Sequence, residues 1–306
     1  MAIPIDEVGQ KAGEPAPLPI TFEFRPLLRL VSPDGRYLLL LGPWEPTGIP
    51  YVVDLQTNES WPLFRGHPMQ PHLAGRPHAW HPDSRQVVFE FYNNEELLLV
   101  DVETAEYTVL ALTYGFVQGA AISPDGQRIV YEENGLWLVS AAGSDVRLIR
   151  EGPTRSVVGW SPDGAYILDG GLGLMDPDGN DRGSLSGPYV GWGVDPAWSP
   201  NGEWVAFTGQ DEGQEFGCLK QLPNPDHATC MFEGTAVFIE NVYTGELRRL
   251  ATGIEPVWSP DGSMLAYLSD VSGTREIWTV RMDGSAPQQL TFDDQARSYY
   301  RLIWTP

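Results

Sequence analysis

One phrase constrains this chain more than any other property. Val257-Trp258-Ser259-Pro260-Asp261-Gly262-Ser263-Met264-Leu265-Ala266-Tyr267-Leu268 is written, with substitutions, six times. The other five copies centre on Ser32-Pro33-Asp34-Gly35, His81-Pro82-Asp83-Ser84, Ser123-Pro124-Asp125-Gly126, Ser161-Pro162-Asp163-Gly164 and Ser199-Pro200-Asn201-Gly202. Successive spacings are 49, 42, 38, 38 and 60 residues, and Trp304-Thr305-Pro306 begins a seventh copy 46 residues after Trp258. Repeats of this period are supersecondary units that bury their apolar faces against neighbours, so stacking supplies the core.

Each copy predicts a hairpin. Serine, proline, aspartate and glycine at successive positions suit a type I turn, with the glycine taking a left-handed conformation. After the turn come Tyr37-Leu38-Leu39-Leu40-Leu41, Val87-Val88-Phe89, Ile129-Val130-Tyr131, Tyr166-Ile167-Leu168, Trp204-Val205-Ala206-Phe207 and Leu265-Ala266-Tyr267-Leu268. Such short, nearly continuous apolar runs are expected of strands covered on both faces. A third strand follows a variable loop (Pro50–Asp54, Leu97–Asp101, Leu136–Val139, Leu172–Asp176, Ala236–Ile239, Ile277–Val280). A polar turn such as Asp283-Gly284-Ser285 then leads to a short fourth strand, for example Arg147-Leu148-Ile149. Four antiparallel strands per unit, repeated around an axis, describe a propeller blade.

Trp258-Ser259-Pro260-Asp261-Gly262, its apolar strand and the run from Ile277 to Thr291 resemble the PD40 repeat of TolB-like β-propellers. The resemblance covers residues 27–306, and the Gly-His and Trp-Asp signatures of WD40 blades are absent. The second copy departs from the pattern, with His81 in the serine place and Ser84 in the glycine place. The resemblance implies an all-β, six-bladed β-propeller of four-stranded antiparallel blades, with scaffold or binding duty more often than catalysis. The expected organisation is a leader over 1–19 and one propeller domain over 20–306. Blades are expected at 27–66, 67–114, 115–152, 153–188, 189–250 and 251–292, with a closing strand at 299–306 assisted by residues 20–24; the alternative is that this strand is the start of a truncated seventh blade.

Composition narrows the function classes. The formal net charge of −22 opposes any phosphate-tracking surface, so nucleic acid and anionic membranes are not expected partners. No run approaches the roughly 18 apolar residues of a membrane span. Residues 1–20 lack the basic start and apolar middle of a secretion signal. The expectation is a monomer without a cofactor, whose partner is a protein or a carbohydrate.

In propellers the loops joining strand two to three, and strand four to the next strand one, share the usual ligand-binding face. The Ser-Pro-Asp-Gly turns lie at the opposite end, so their aspartates are read as structural. The blade-five loop from Thr208 to Gly234 is the longest and holds both cysteines, Cys218 and Cys230. Long loops in compact domains are usually functional or disordered. The two cysteines are read as a disulfide that orders the loop, worth about 3 kcal/mol in the loop-entropy model. Free thiols, or thiols joined by His227 on a metal, are the alternatives. A disulfide implies an oxidising compartment, hence an extracytoplasmic protein, periplasmic or at the cell surface.

Candidate ligand-face residues are Trp44 with Glu45, Tyr114, Arg155, Tyr189 with Trp192, Asp211, Asp270 with Arg275, and Arg297 with Tyr299. Aromatics with a few polar groups line sugar pockets and anchor protein interfaces. His67, His72 and His78 are weak metal candidates, because their spacing matches no known ligand set. Asp176-Pro177-Asp178-Gly179-Asn180-Asp181 begins like a calcium loop but lacks its glycine and its final glutamate, so it is read as a blade hairpin. Glu95-Glu96, Glu132-Glu133 and Asp293-Asp294 are read as solvated loop acids. No nucleophile elbow, phosphate-cradling loop or zinc-protease motif is present. The function expected is an exported, non-catalytic binding propeller. The rivals are a metal-dependent polysaccharide lyase or glycosidase, and a regulatory propeller from a longer peptidase-like chain.

Overall fold

The computed structural model describes residues 27–41, 50–64, 75–91, 95–152, 157–185, 196–211 and 234–292, together with Leu302 and Trp304. Among them, strands form six four-stranded antiparallel sheets, each running in chain order. Blade one is β1 (Leu27–Val31), β2 (Tyr37–Leu41), β3 (Pro50–Asp54) and β4 (Ser60–Pro62). Blade two is β5 (Gly75–Trp80), β6 (Gln86–Phe91), β7 (Glu96–Asp101) and β8 (Tyr107–Leu112). Blade three is β9 (Ala120–Ile122), β10 (Arg128–Glu132), β11 (Gly135–Ser140) and β12 (Arg147–Glu151). Blade four is β13 (Val157–Trp160), β14 (Ile167–Asp169), β15 (Gly173–Met175) and β16 (Asp181–Ser184). Blade five is β17 (Ala197–Trp198), β18 (Trp204–Gln210), β19 (Thr235–Asn241) and β20 (Leu247–Thr252). Blade six is β21 (Ile254–Trp258), β22 (Met264–Ser269), β23 (Glu276–Arg281) and β24 (Gln288–Gln289). The architecture is all-β, with the six blades of a β-propeller. One compact unit holds blades one to three and most of blade four, within Pro19–Asp169 and Gly173–Arg182, and another holds blades five and six, within Gly183–Trp304.

The apolar strands are continuous because neighbouring blades claim alternate side chains. On β6, Val87 and Phe89 join Tyr37, Leu39 and Val52 of blade one in one cluster. Val88, between them, points the other way and joins Ile129, Tyr131 and Val139 of blade three. The third strand divides likewise, Leu98 and Val100 going one way and Leu97 and Leu99 the other. Successive strand residues face opposite sides of a sheet, so a strand between two neighbours has no side to leave polar. In the other unit, Val237 and Ile239 of blade five pack with Leu265 and Tyr267 of blade six.

The repeated turn is a closed hydrogen-bond circuit. In blade one, Ser32 Oγ donates to Asp34 Oδ1 at 2.6 Å and accepts the Tyr37 amide at 2.8 Å. Asp34 Oδ1 accepts the Arg36 amide at 2.9 Å, and the Gly35 amide returns to the Ser32 carbonyl at 2.8 Å. Gly35, Gly126, Gly164, Gly202 and Gly262 all hold φ between 72° and 73°. Blade six repeats the circuit, with Ser259 donating to Asp261 at 2.6 Å and accepting the Met264 amide at 3.0 Å. These aspartates are consumed in their turns, and those hydrogen bonds hold Asp125 and Asp261 below the usual carboxylate range.

The divergent second turn keeps the same backbone. The Ser84 amide reaches the His81 carbonyl at 3.0 Å, and Ser84 adopts φ 60° without a glycine. The Gln86 amide, lacking a serine hydroxyl, goes to Asp83 Oδ1 at 3.1 Å. Both substituted side chains reach sideways. Ser84 Oγ accepts the Asp34 amide of blade one at 3.0 Å, and His81 Nε2 lies 3.1 Å from the Gly126 carbonyl of blade three.

Two further devices join adjacent blades. In blades four and six the tryptophan before the turn donates its indole N–H to the first strand of the preceding blade, Trp160 to the Ala121 carbonyl (3.3 Å) and Trp258 to the Ala197 carbonyl (3.0 Å). The hairpin between strands three and four backs onto the preceding blade's fourth strand. A Cβ on Gly143 would lie 2.2 Å from the Val109 carbonyl, and one on Gly179 2.3 Å from the Ile149 carbonyl. Glycine there answers a close backbone approach as well as a positive φ.

The residues 20–24 and most of 299–306, expected to close the propeller, lie outside the described residues. Leu302 packs against the blade-six cluster of Leu268, Ile277 and Leu290. If inter-blade burial is the main stabilising contribution, Phe89→Ala opens a void between blades one and two. It should lower the unfolding free energy by about 3–5 kcal/mol in urea denaturation; a loss below about 1 kcal/mol would contradict this account.

Candidate functional site

At the end of each blade away from the repeated turns, the apolar strands give way to loops, and there blades two and three place buried carboxylates. Glu90 sits near the end of β6, and Glu133 follows β10. Between β8 and β9 runs a connector, Thr113-Tyr114-Gly115-Phe116-Val117-Gln118-Gly119, whose backbone these acids hold. Glu90 Oε1 accepts the Val117 amide at 2.8 Å, and Arg76 Nη2 donates to the Val117 carbonyl. Glu133 Oε1 accepts the Tyr114 amide, and the Gly115 amide also donates to this carboxylate. The Thr113 amide reaches the Glu95 carbonyl at 2.7 Å, and the Gln118 amide donates to the Glu132 carbonyl at 2.9 Å. Trp137 Nε1 in turn donates to the Glu133 carbonyl at 3.0 Å.

The consequence is an ordered backbone with outward aromatics. Val117 is fully buried, whereas Tyr114 is 87% and Phe116 70% exposed, with Leu112 at 62% beside them in the chain. Solvent-exposed aromatics on a backbone fixed from beneath cost little further ordering when something binds them.

Charge is unevenly compensated beneath the connector. Glu90 Oε2 lies 3.0 Å from Arg76 Nε and 3.3 Å from His78 Nε2. Burial pushes the Glu90 carboxyl up, but hydrogen bonds from His78 and the Val117 amide, with the Arg76 charge, outweigh it and hold Glu90 below its ordinary range. Burial pulls the His78 imidazole down, and the nearby Glu90 only partly offsets this. For Glu133 the balance reverses. Burial pushes it up, the amides of Tyr114 and Gly115 oppose, and the like charges of Glu90 and Glu95 push further up.

These acids correct one expectation. Glu132 and Glu133 are not solvated loop acids, being 0% and 7% exposed. The strand runs on to Glu132, whose carbonyl accepts the Gln118 amide, and the amides of Tyr114 and Gly115 close over the Glu133 carboxylate. Glu95 is solvent-exposed as expected, Glu96 is not a loop acid but the half-buried first residue of β7, and Asp293-Asp294 lie outside the described residues.

No family model matches the chain. An uncharacterised protein of Agrobacterium fabrum, Atu1656, is 26% identical over 234 residues, covering 64% of this chain and 75% of that protein. TolB from Acinetobacter baumannii aligns structurally with a TM-score of 0.53 at 17% identity, over 83% of this chain and 62% of that one. The fold is that of the TolB-like propellers. Oligogalacturonate lyase from Vibrio parahaemolyticus aligns with a TM-score of 0.60 at 16% identity, over 85% of this chain and 75% of that one. An oligogalacturonate lyase in complex with manganese gives 0.61 at 14% identity, over 89% and 78%. At these identities the likeness is one of fold, on which function is not written.

Within this fold the sequence-predicted site residues have varied placements. Trp44, Arg155, Trp192, Arg297 and Tyr299 lie outside the described residues, as do Glu45, Tyr189, His67, His72, Cys218 and Cys230. Tyr114 is the exposed tip just described. Asp211 makes a two-pronged ion pair with Arg249, at 2.5 and 2.7 Å, which holds its carboxyl below the usual range. Its amide also meets the Gly234 carbonyl at 2.8 Å, so it fastens the base of the blade-five loop. Asp270 begins the β22–β23 loop, its carbonyl accepting the Gly273 amide at 2.8 Å. His78 is buried against Glu90, and among the described residues no three His, Cys, Asp or Glu side chains are grouped to hold a metal. Asp176 is a hairpin residue, as read. Hydrogen bonds from Asn180 lead burial, Arg182 and the Asp178 amide in setting its carboxyl, which drops to about 2.

The Glu133 shift has a definite sign in stability. A carboxyl raised in the folded state contributes stability that is full below its unfolded value, ordinarily 4.5, and is lost as pH rises through the folded value. Glu133→Gln keeps an oxygen to accept the two amides and removes the charge. The melting temperature of the variant relative to the unaltered protein should therefore rise between about pH 4 and about pH 7. A constant difference across that range would mean that Glu133 carries no buried-charge cost.

Proposed function

We propose that this TolB-like chain is an exported, non-catalytic binding propeller that takes a partner protein or glycan-like ligand on its loop end. One observation carries the reading: the 113–119 connector is tied from beneath by Glu90, Arg76 and Glu133 while presenting Tyr114 and Phe116 to solvent. Exposed aromatic patches on a soluble protein mark contact sites. The ionisable groups under the connector are engaged in holding it, Glu90 with Arg76 and His78, and Glu133 with backbone amides. If the aromatics serve contact and not folding, Tyr114→Ala with Phe116→Ala should shift the unfolding free energy by no more than about 0.5 kcal/mol. A loss of about 2 kcal/mol or more would make them structural and remove the basis of the reading.

The lyase neighbours support a second reading, metal-dependent cleavage of a polyuronate, with His67, His72 and His78 as ligands. Against it stand the net charge of −22, which repels a polyanionic substrate, and the commitment of His78 to Glu90. Incubation with polygalacturonate and manganese, followed by ultraviolet absorbance of the unsaturated product, separates the two. The binding reading expects no product. Product that disappears with chelator and with His78→Ala would establish the lyase.

Export is part of the same proposal and rests on Cys218 and Cys230, which fall between the tied loop ends Asp211 and Gly234. The two are proposed to form a disulfide in an oxidising compartment. Thiol titration of the protein from its native compartment, denatured without reductant, should find no free thiol and, after reduction, two. Two thiols before reduction would place the protein in a reducing compartment.

A further inference from the structure

The acids and aromatics of the connector together narrow what it can hold. Leu112, Tyr114 and Phe116 supply apolar contact area within one short stretch of blade two. Around them the charge is negative. Glu95 is exposed where blade two turns from β6 to β7, and its carbonyl anchors Thr113. Glu133, behind the connector, faces Glu90 and Glu95 and is hydrogen-bonded to the amides of Tyr114 and Gly115. The cation of this group, Arg76, is spent on Glu90 and the Val117 carbonyl. The chain as a whole shares that sign, with 41 acidic against 19 basic residues.

This combination discriminates among ligands. Phosphate or uronate chains meet the net repulsion of a chain with a formal charge of −22. A neutral sugar could stack on the rings but gains nothing from surplus carboxylate. A lysine or arginine next to an apolar side chain uses both features, the rings as anchors and the acids as steering charge. We propose that the 113–119 connector after blade two, with Leu112 at the end of β8, is the docking surface for a basic protein segment, with Leu112, Tyr114 and Phe116 as apolar anchors and Glu95 and Glu133 as its electrostatic side. The inference rests on the binding reading above and assigns the class of partner.

The test uses the full chain and a labelled synthetic peptide in which lysine alternates with leucine and tryptophan, followed by fluorescence anisotropy at two salt concentrations. Comparison probes are the same peptide with glutamate for lysine, and cellohexaose measured by calorimetry. Tyr114→Ala with Phe116→Ala should weaken lysine-peptide binding about tenfold or more. Glu95→Gln should weaken it about threefold, chiefly at low salt. Glu106→Gln, an exposed acid at the opposite end of β8, controls for net charge and should leave affinity unchanged. Equal affinity across all variants would reduce the binding to adsorption by net charge and overturn the proposal. Cellohexaose binding that needs the two aromatics, with no binding of the lysine peptide, would also overturn it and leave the site as a sugar platform. Either failure leaves the binding reading standing, because that reading depends on the connector's role and not on the partner's charge.

Discussion

Two-sided burial governs this protein. A strand packed between two other sheets must be apolar at every position, and each of its side chains belongs to one neighbour or the other. Val88 and Phe89 show the rule in adjacent residues, one turned to blade three and one to blade one. Removing one neighbour would expose half of every strand it covers. The blades therefore depend on stacking in a way that an isolated four-stranded meander does not.

The turns set the spacing that lets this burial work. Serine and aspartate side chains close the backbone amides that a type I turn leaves open, and glycine supplies the left-handed residue that re-enters the strand. Blade two tests how far that chemistry can change. His81 and Ser84 replace both special residues, yet the backbone bonds survive because Asp83 takes over the amide that serine would have held. The replacements also acquire contacts to blades one and three, which the consensus residues cannot reach.

At the loop end the same rule runs out. The sheet still covers the last strand residues, but irregular backbone must be satisfied, and buried amides without partners are costly. Glu90 and Glu133 meet that need by turning their carboxylates onto the connector. Burying acids is unfavourable unless they are bonded, and here the bonds rigidify the segment that displays Tyr114 and Phe116. Support and candidate contact surface are thus two sides of one structural solution.

Which of these features can be read from the chain depends on how local their causes are. The six-fold phrase, the hairpin in every copy, the apolar strands and the structural aspartates all follow from residues within a few positions of one another. Hence fold class and blade content were legible, and Tyr114 stood out as an aromatic on a connecting loop. The partners of the acids were not legible. Glu90 meets Val117 across 27 residues, and Asp211 meets Arg249 across 38, so nothing near either acid announces its bond. Glu133 looks like a solvated loop residue because the connector amide that covers it lies 19 residues earlier in the chain. The sequence by itself determined a repeat of hairpins that must stack, since turn chemistry and side-chain alternation act between near neighbours. Only the tertiary structure decided which polar groups are buried, because burial is set by whatever a distant segment lays over them.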